Sequence, residues 1–177
     1  MQLHNGVIGG SSSCEPEDAN LKRTSFEKAE CPIARSLDAI GDWWSLLIVR
    51  DALMGVRRFS GFQKNLGLAK NILTVRLRVL VDQGILMTAP ASDGSAYREY
   101  LLTPKGRAVF PVLVALRQWS EEFSFSPGAC ATQLVDRAKG RPVRKLELRA
   151  RDGRLLGAGD TEVRSNPGAK RRRSRSA

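Results

Sequence analysis

One segment carries most of the structural information in this chain: residues 59–103, which read FSGFQKNLGLAKNILTVRLRVLVDQGILMTAPASDGSAYREYLLT. Apolar residues recur at helical spacing on both sides of Gly67, which predicts a short helix, a sharp break and a second helix. Two runs of strand-forming residues follow, Ile85 to Ala91 and Tyr97 to Thr103, around an Asp-Gly pair that favours a hairpin turn. The segment therefore predicts a helix-turn-helix followed by a two-stranded wing.

The second predicted helix, from about Lys70 to Gln83, has two different faces. Leu73, Leu77 and Leu80 recur at i, i+4 and i+7, so they should point into the domain. A helix that reads DNA in the major groove needs this division, because its other face must reach base edges. The residues expected to read bases are Lys70, Asn71, Thr74, Val75 and Arg78.

Neighbouring side chains are candidates for contact with the DNA backbone. Ser60 is expected to cap the first helix, since its hydroxyl can accept a bond from a free backbone amide. Arg98 lies on the wing, from which an arginine can reach a phosphate or the minor groove. For Arg76 the alternative is an ion pair with Asp82 or Asp51. The full set of phosphate or wing candidates is Arg57, Arg58, Ser60, Arg76 and Arg98.

Helices are also predicted on both sides of this segment. Pro32 to Ile40 starts with a proline, Trp43 to Met54 starts after the potential cap Asp42, and a further helix starts at Thr103-Pro104. A small wing cannot cover the apolar stripe of this last helix, so we expect it to be buried against a second subunit. The stripe consists of Val109, Phe110, Leu113, Leu116, Trp119 and Phe123.

The positive charge of the chain is concentrated on the predicted helix-turn-helix and wing. The 177 residues carry a formal charge of +11, and the pI is near 10.3. Residues 57–107 hold nine basic and three acidic side chains, whereas residues 1–56 hold five and eight. Such a charge suits nucleic acid or an acidic membrane surface, and its position favours nucleic acid.

Composition argues against several other classes of protein. No stretch approaches the roughly 20 apolar residues of a membrane span, and no secretion signal begins the chain, so we expect a soluble, cytoplasmic protein without membrane contact. The cysteines Cys14, Cys31 and Cys130 are odd in number and widely spaced, which argues against a disulfide scaffold. His4 is the only histidine. We therefore expect no enzyme, no metal site and no cofactor.

The predicted fold class is mainly α with a small β-wing, plus a short C-terminal β-hairpin appendage. The predicted units are a flexible arm (1–23), a winged-helix DNA-binding and dimerisation domain (24–127), the appendage (128–164) and a disordered basic tail (165–177). The hairpin is predicted around Asp152-Gly153. The appendage could touch flanking DNA, cover the dimer or be solvated, and we favour the last two.

Eight segments follow one another in an order typical of one family: Cys31-Pro32, Gly41 to Trp44, Leu46 to Asp51, Arg58 to Ser60, Leu73 to Leu80, Gly84 to Leu86, Glu99 to Thr103 and Gly106-Arg107. The sequence thereby resembles the HxlR-type winged-helix transcriptional regulators, which are MarR-like. The resemblance implies a bacterial homodimer that binds operator DNA, with the helices after Pro32 and Pro104 at the subunit interface. In this chain Trp43 replaces a usual lysine, Ala69 replaces a usual capping serine, and Gly61 weakens the first helix.

Two routes for an effector follow from the residues. Cys31 precedes a helix, whose positive end favours the reactive thiolate, and the resemblance adds that some relatives sense oxidants or electrophiles at this cysteine. The alternative is a small apolar residue packed at the dimer seam. A small aromatic ligand could instead bind among aromatic residues at the interface, although such residues often form plain core. The candidate pocket residues are Trp43, Trp44, Trp119 and Phe123.

Together these observations predict a homodimeric, sequence-specific regulator of transcription that binds double-stranded operator DNA as a repressor. Release by a small aromatic effector and release by thiol oxidation are two candidate forms of control, each weighed against a purely structural role of the residues concerned. The alternative is a basic RNA-associated or ribosome-associated protein, suggested by the arginine run after Lys170.

Overall fold

The computed structural model describes residues 25–126 and 128–165. The predicted arm, most of the predicted tail, His4 and Cys14 lie outside these residues. The described chain is mainly helical with one two-stranded sheet, as predicted. Its elements are α1 (Pro32–Ile40), α2 (Trp43–Leu53), α3 (Phe59–Leu66), α4 (Lys70–Asp82), β1 (Leu86–Pro90), β2 (Arg98–Leu102), α5 (Pro104–Arg107) and α6 (Phe110–Phe123).

The apolar core lies where α2, α3, α4 and the sheet meet. Leu73, Leu77 and Leu80 of α4 are fully buried in it, which confirms the predicted inner face of the second helix. Each such side chain stabilises the fold by about 2 kcal/mol through its burial. The other buried members of the core are Ile48, Val49, Phe62, Leu68, Ile85, Leu86, Leu102 and Val109.

Helix α4 follows α3 after a three-residue turn. Gly67 ends α3 with a φ of +64°, a left-handed conformation that glycine adopts without steric cost. Ala69 is the N-cap of α4, and no side chain caps this helix. The helix-turn-helix is therefore present, with the weak cap that the alanine at this position implies.

The structure confirms two predicted helix caps and corrects a third. The Asp42 carboxylate accepts bonds from the amides of Trp44 (3.1 Å) and Ser45 (3.2 Å) at the start of α2. The Thr103 hydroxyl accepts from the amide of Gly106 in α5 (3.1 Å). The prediction for Ser60 is wrong, because α3 begins two residues earlier than a Ser60 cap would require, with Arg58 as its N-cap. Ser60 lies exposed in the first turn of α3.

The predicted single helix after Thr103 is instead two helices. Helix α5 ends at Arg107, and α6 starts at Phe110. Pro111 explains the break, because proline has no amide hydrogen to donate to the carbonyl of Arg107, four residues earlier. The break sets the direction of α6 separately from that of α5.

The wing is an antiparallel pair, and its strands are shorter by about one residue at each end than predicted. The register pairs Leu86 with Leu102 and Pro90 with Arg98. The amide of Tyr100 in β2 donates to the carbonyl of Arg57 (2.8 Å), in the connection between α2 and α3. The wing is therefore bonded to the chain that leads into the helix-turn-helix.

The predicted C-terminal β-hairpin is not confirmed as a pair of strands. A turn does form at Asp152-Gly153, closed by a bond from the Ala150 amide to the Arg154 carbonyl (2.9 Å). Only an isolated bridge, Arg149 to Leu155, accompanies it. The alternating leucines Leu146, Leu148 and Leu155 stay exposed, so no packing holds an extended ladder together.

Within the described ranges, no helix combines the length and apolar character that a membrane span requires.

Candidate nucleic-acid interface

The outer face of α4 is polar and open to solvent. Asn71, Thr74, Val75 and Arg78 are all exposed, and their spacing of three or four residues places them on one side of the helix, opposite the buried leucines. Val75 is 55% exposed, in the middle of this polar face. A valine exposed among polar groups suits contact with a thymine methyl group.

Internal contacts leave most of this face available. The Thr74 hydroxyl donates to the carbonyl of Lys70 one turn earlier (2.7 Å), and its methyl group and oxygen lone pairs remain open. The guanidinium of Arg78 lies 3.9 Å from the Asp82 carboxylate, and the Arg78 side chain is 80% exposed. An ion pair this long and this exposed contributes little, so Arg78 can exchange it for a base or a phosphate. Ile72 is also exposed beside this face, although sequence analysis did not select it.

Arg76 lies on the side of α4 that faces α2. Its guanidinium is 3.0 Å from the Asp42 carboxylate, and both side chains are largely buried. Arg76 therefore forms an ion pair, which was the predicted alternative to a DNA contact, but its partner is Asp42 and not Asp82 or Asp51. Asp51 pairs instead with its neighbour Arg50 (2.8 Å), and Asp82 pairs with Arg78. Arg76 positions the helix in this structure.

Arg57 and Arg58, which were also predicted to contact phosphate, instead contact side chains of the wing. The Arg58 guanidinium contacts the carboxylate of Asp93 at the wing tip and lies 5.6 Å from the centre of the Tyr97 ring. The Arg57 guanidinium is 3.8 Å from the Glu99 carboxylate. These contacts join the start of α3 to the wing, so both arginines hold the wing against the helix-turn-helix.

Glu99 is the acid at the centre of this junction. Its side chain is only 7% exposed and accepts a bond from the Ser92 hydroxyl (3.0 Å). A buried carboxylate is costly without partners, and Arg57, Arg58 and Ser92 supply them. Sequence analysis missed this role. No sequence signal marked it, because its partners Arg57, Arg58 and Ser92 lie on other segments of the chain.

Asp93 strengthens the same junction from the wing tip. Its hydrogen bonds with Ser95 and the nearby Arg58 guanidinium lower the pKa of its carboxyl from 3.8 to about 2. The Ser95 amide donates to it at 3.1 Å. The carboxylate is therefore charged throughout the physiological range.

The remaining cationic candidates are accessible. Lys70 is exposed at the first turn of α4, and Lys64 is exposed on α3. Arg98 is exposed on β2, and its guanidinium donates to the Thr88 hydroxyl across the wing (2.8 Å). That single neutral bond leaves the charge of Arg98 uncompensated, which suits a phosphate contact.

The four aromatic residues predicted to line a pocket form two separate pairs. The rings of Trp43 and Trp44 are 6.2 Å apart at a steep angle, and those of Trp119 and Phe123 are 6.0 Å apart. In the described part of the chain, no ring contact joins one pair to the other. Trp43 and Trp119 are 73% and 60% exposed, so a single subunit does not enclose them.

Helices α1 and α6 share this exposure of large apolar side chains. On α6 the exposed residues recur at helical spacing along one side, whereas Val114 of the same helix is buried. A contiguous exposed apolar surface on a small soluble protein usually marks an interaction site. The exposed members are Ile33 and Leu37 on α1 and Val112, Leu116, Trp119 and Phe123 on α6; Phe110 is also exposed but lies on the opposite side of α6.

Cys31 is the N-cap residue of α1, directly before Pro32, and its thiol is exposed and free. Cys130 is also free but is half-buried, with its sulfur 3.3 Å from the carbonyl of Thr132. No group of three or more potential metal ligands occurs in residues 25–126 and 128–165. Of the two cysteines that the structure describes, Cys31 is therefore the more accessible.

Comparison with known proteins gives a consistent answer. The model of a family described as HxlR-like helix-turn-helix matches residues 39–126. PA1607, provisionally described as a transcription factor, is 55% identical in sequence, with a TM-score of 0.77 over 81% of this chain and 100% of that one. PA1374 from Pseudomonas aeruginosa, described in the same way, is 42% identical, with a TM-score of 0.57 over 78% of this chain and 94% of that one.

Curated relatives are described as uncharacterised HTH-type transcriptional regulators. Rv3095 of Mycobacterium tuberculosis is 42% identical over 91 residues, which are 51% of this chain and 58% of the relative. YvaP of Bacillus subtilis is 32% identical over 95 residues, which are 52% of this chain and 88% of the relative. The match thus spans little more than half of the mycobacterial relative and most of the one from Bacillus.

Proposed function

Because the chain belongs to the HxlR-like helix-turn-helix family of transcriptional regulators, we propose that it is a homodimeric repressor that binds operator DNA by sequence. One observation carries the proposal: the exposed face of α4 presents Asn71, Thr74, Val75 and Arg78 together, while the opposite face is fixed in the core. These side chains offer a bidentate amide, a hydroxyl, an apolar group and a guanidinium. Such groups distinguish base pairs in the major groove.

In this proposal the phosphate contacts come from cations that lack an acidic partner. Lys70 and Arg98 are exposed and have no ion pair within the described residues. Ser60, in the exposed first turn of α3, can donate its hydroxyl to a phosphate. Arg57, Arg58 and Arg76 act through the positions of the wing and of α4. This division differs from the sequence prediction, in which all three arginines are candidates for phosphate or wing contacts and an ion pair is the alternative for Arg76.

The exposed apolar side of α1 and α6 is the proposed dimer interface. Its large side chains are open in one subunit, and a second copy of the chain would bury them. A two-fold dimer places two α4 helices one helical turn of DNA apart, or a multiple of it, which matches a palindromic site. A dimer bound at a promoter blocks transcription by occupying the DNA, so a repressor needs no further contact surface. Such a regulator works in the bacterial cytoplasm.

The proposed effector routes both lie at this interface. A second subunit would enclose the exposed rings of Trp43, Trp119 and Phe123 and could leave a cavity for a small aromatic acid. Titration with benzoic acid tests this part, because binding should change tryptophan emission and constant emission would contradict it. Oxidation of the exposed Cys31 at the N-terminus of α1 is the second proposed route, since it would alter the same seam.

The proposal is tested by mapping the DNA that the protein binds across a bacterial genome and by selecting duplexes with the purified chain. The expected result is a recurrent double-stranded site with two inverted halves. Binding to RNA with no recurrent duplex site would support the alternative, a basic RNA-associated protein. No nucleic-acid binding would overturn the proposal.

A further inference from the structure

The chain after α6 forms a short hairpin that lies outside the residues matched by the family model. The amide of Val143 donates to the carbonyl of Leu134 (3.0 Å), and the amide of Asp136 donates to the carbonyl of Arg141 (2.8 Å). Gly140 completes the turn with a φ of +63°, and its amide donates to the Asp136 carbonyl (2.8 Å). We call residues 134–143 the basic hairpin.

The tip of the basic hairpin carries positive charge without an acidic partner. Its only acid, Asp136, accepts bonds from the amides of Ala138 (2.8 Å) and Lys139 (3.1 Å), so this carboxylate is used to shape the turn. Arg137, Lys139 and Arg141 are exposed, and none of them makes an ion pair within residues 25–126 and 128–165.

Three of the later arginines differ, because each of them has an acidic partner. Arg149 pairs with Glu147 (2.5 Å), Arg154 pairs with Asp152 (2.9 Å), and Arg164 contacts Glu162. A charge that its own chain neutralises contributes little to the attraction of a polyanion. Arg144 and Arg151 also lack an ion pair within the described residues, but they follow singly, whereas the basic hairpin holds three such cations within five residues.

The base of the basic hairpin is fixed to α6. The side-chain amide of Gln118 donates to the carbonyl of Arg144 (3.0 Å) and accepts from the amide of Leu146 (2.8 Å), as a neighbouring strand would. The Lys145 ammonium contacts the Glu122 carboxylate. Gln118 lies on the side of α6 away from Leu116, and Glu122 lies beside Trp119, so these anchors reach only the edge of the proposed dimer face. The cations are held in place before any partner binds.

We propose that the tip of the basic hairpin binds the phosphate backbone of duplex DNA beyond the base pairs that α4 reads. This inference rests on the proposed function, which brings such DNA to the protein. The tip has no aromatic ring on which an unpaired base could stack, so single-stranded nucleic acid is a poor match. It also lacks the aromatic or large aliphatic anchors typical of a protein interface. Cations that are held in fixed positions match the regular spacing of phosphates on a duplex. Because the hairpin is attached to a domain that is already bound to DNA, the effective concentration of these cations near the phosphates is high.

The test compares two variants that lose the same charge. The first is Arg137→Gln/Lys139→Gln/Arg141→Gln, and the control is Arg149→Gln/Arg154→Gln/Arg164→Gln, in which every changed arginine has an acidic partner. All six positions are exposed, so both variants should unfold at the same denaturant concentration as the parent. The probes are a selected site of about two helical turns and the same site extended by about one turn at each end.

The parent should bind the extended duplex more tightly than the short one and with a steeper salt dependence. The Arg137→Gln/Lys139→Gln/Arg141→Gln variant should lose this preference for the extended duplex. Its affinity for that duplex should fall by about tenfold or more, and its salt slope should be smaller by about 2 to 3 per subunit. On the short duplex it should match the parent. The control variant should still bind the extended duplex more tightly than the short one.

Equal behaviour of the two variants on the extended duplex would overturn the inference while leaving the proposed function intact. Equal binding of the parent to both duplexes would do the same. A parent that binds neither duplex overturns the proposed function as well. If the hairpin variant loses affinity for single-stranded RNA and not for the extended duplex, the tip is an RNA-binding element and the inference fails.

Discussion

The carboxylate of Asp42 connects the N-terminus of α2 to the recognition helix α4. It accepts the amides of Trp44 and Ser45 and lies 3.0 Å from the Arg76 guanidinium. A single side chain therefore fixes the start of one helix and the orientation of the other. This explains why Arg76, which the sequence offers as a DNA contact, faces away from the exposed side of α4.

This connection predicts a difference between two substitutions of Asp42. Asp42→Asn keeps an acceptor for the helix cap and loses the ion pair, so unfolding should become easier by about 0.5 to 1 kcal/mol. Asp42→Ala loses both and should cost about 1 to 2 kcal/mol. Urea denaturation measures both values.

For DNA binding, Arg76→Gln should leave the salt slope unchanged, and a fall of about 1 would show that Arg76 touches a phosphate after all.

The wing junction predicts a pH dependence. Hydrogen bonds with Ser95 and the charge of Arg58 lower the pKa of Asp93 from 3.8 to about 2 in the folded protein. A carboxyl whose pKa is lowered by folding stabilises the fold above its unfolded value, and this contribution disappears as the pH falls from about 4 to about 2. Asp93→Asn should remove that part of the acid dependence.

The carboxyl chemical shift of Asp93, followed by NMR from pH 5 downward, measures this directly. An Arg58→Gln variant serves as a control, since it should move the midpoint upward only in part while the Ser95 bonds remain. A midpoint near 3.8 in the parent would contradict the contacts described for the wing tip.

The dimer proposal predicts that a charge on the exposed side of α6 separates the subunits. Leu116→Glu places a carboxylate in the proposed apolar interface, and the dimer dissociation constant should rise by about tenfold to a hundredfold. Val163→Glu is the matched control, because Val163 is fully exposed in the C-terminal segment. Sedimentation over a concentration series distinguishes the two variants. An unaltered dimer in Leu116→Glu, or a monomeric parent, would contradict the interface.

The thiol proposal predicts that Cys31 alone carries a response to oxidant. Peroxide should weaken DNA binding by the parent, and Cys31→Ser should bind equally well with and without it, because serine at this position has no thiol to oxidise. Cys130→Ser is the control and should respond as the parent does, since its sulfur is half-buried. A Cys31→Ser protein that responds like the parent would exclude this route.

Much of the fold follows from local sequence signals. Pro32 and Asp42 mark helix starts at the residues where α1 and α2 begin, and the leucines of α4 fall on its buried side. These signals act within one or two turns, so periodicity and capping chemistry are enough to find them. The Asp-Gly pair at the tip of the wing is also a local signal, because it favours a hairpin turn without any distant partner.

The parts that sequence analysis missed depend on contacts between distant residues. Arg58 meets Asp93 and Glu99 only after the wing folds back onto α3, and Gln118 forms its two backbone bonds only when the appendage reaches α6. Nothing in the spacing of these residues selects their partners. The turn predicted at Asp152-Gly153 forms with one isolated bridge, and the basic hairpin at residues 134–143, which has one such bridge as well, was not predicted.

The central claim is that the exposed face of α4 reads base pairs, and Arg78 tests it most directly. At fixed salt, Arg78→Ala should weaken binding to a selected operator duplex by about 1 to 3 kcal/mol and abolish the preference for one base pair in each half-site. Arg98→Ala, a proposed phosphate contact, should weaken binding to all sequences alike and lower the salt slope by about 1. If Arg78→Ala binds the operator as tightly and as selectively as the parent, α4 does not read DNA in the way proposed.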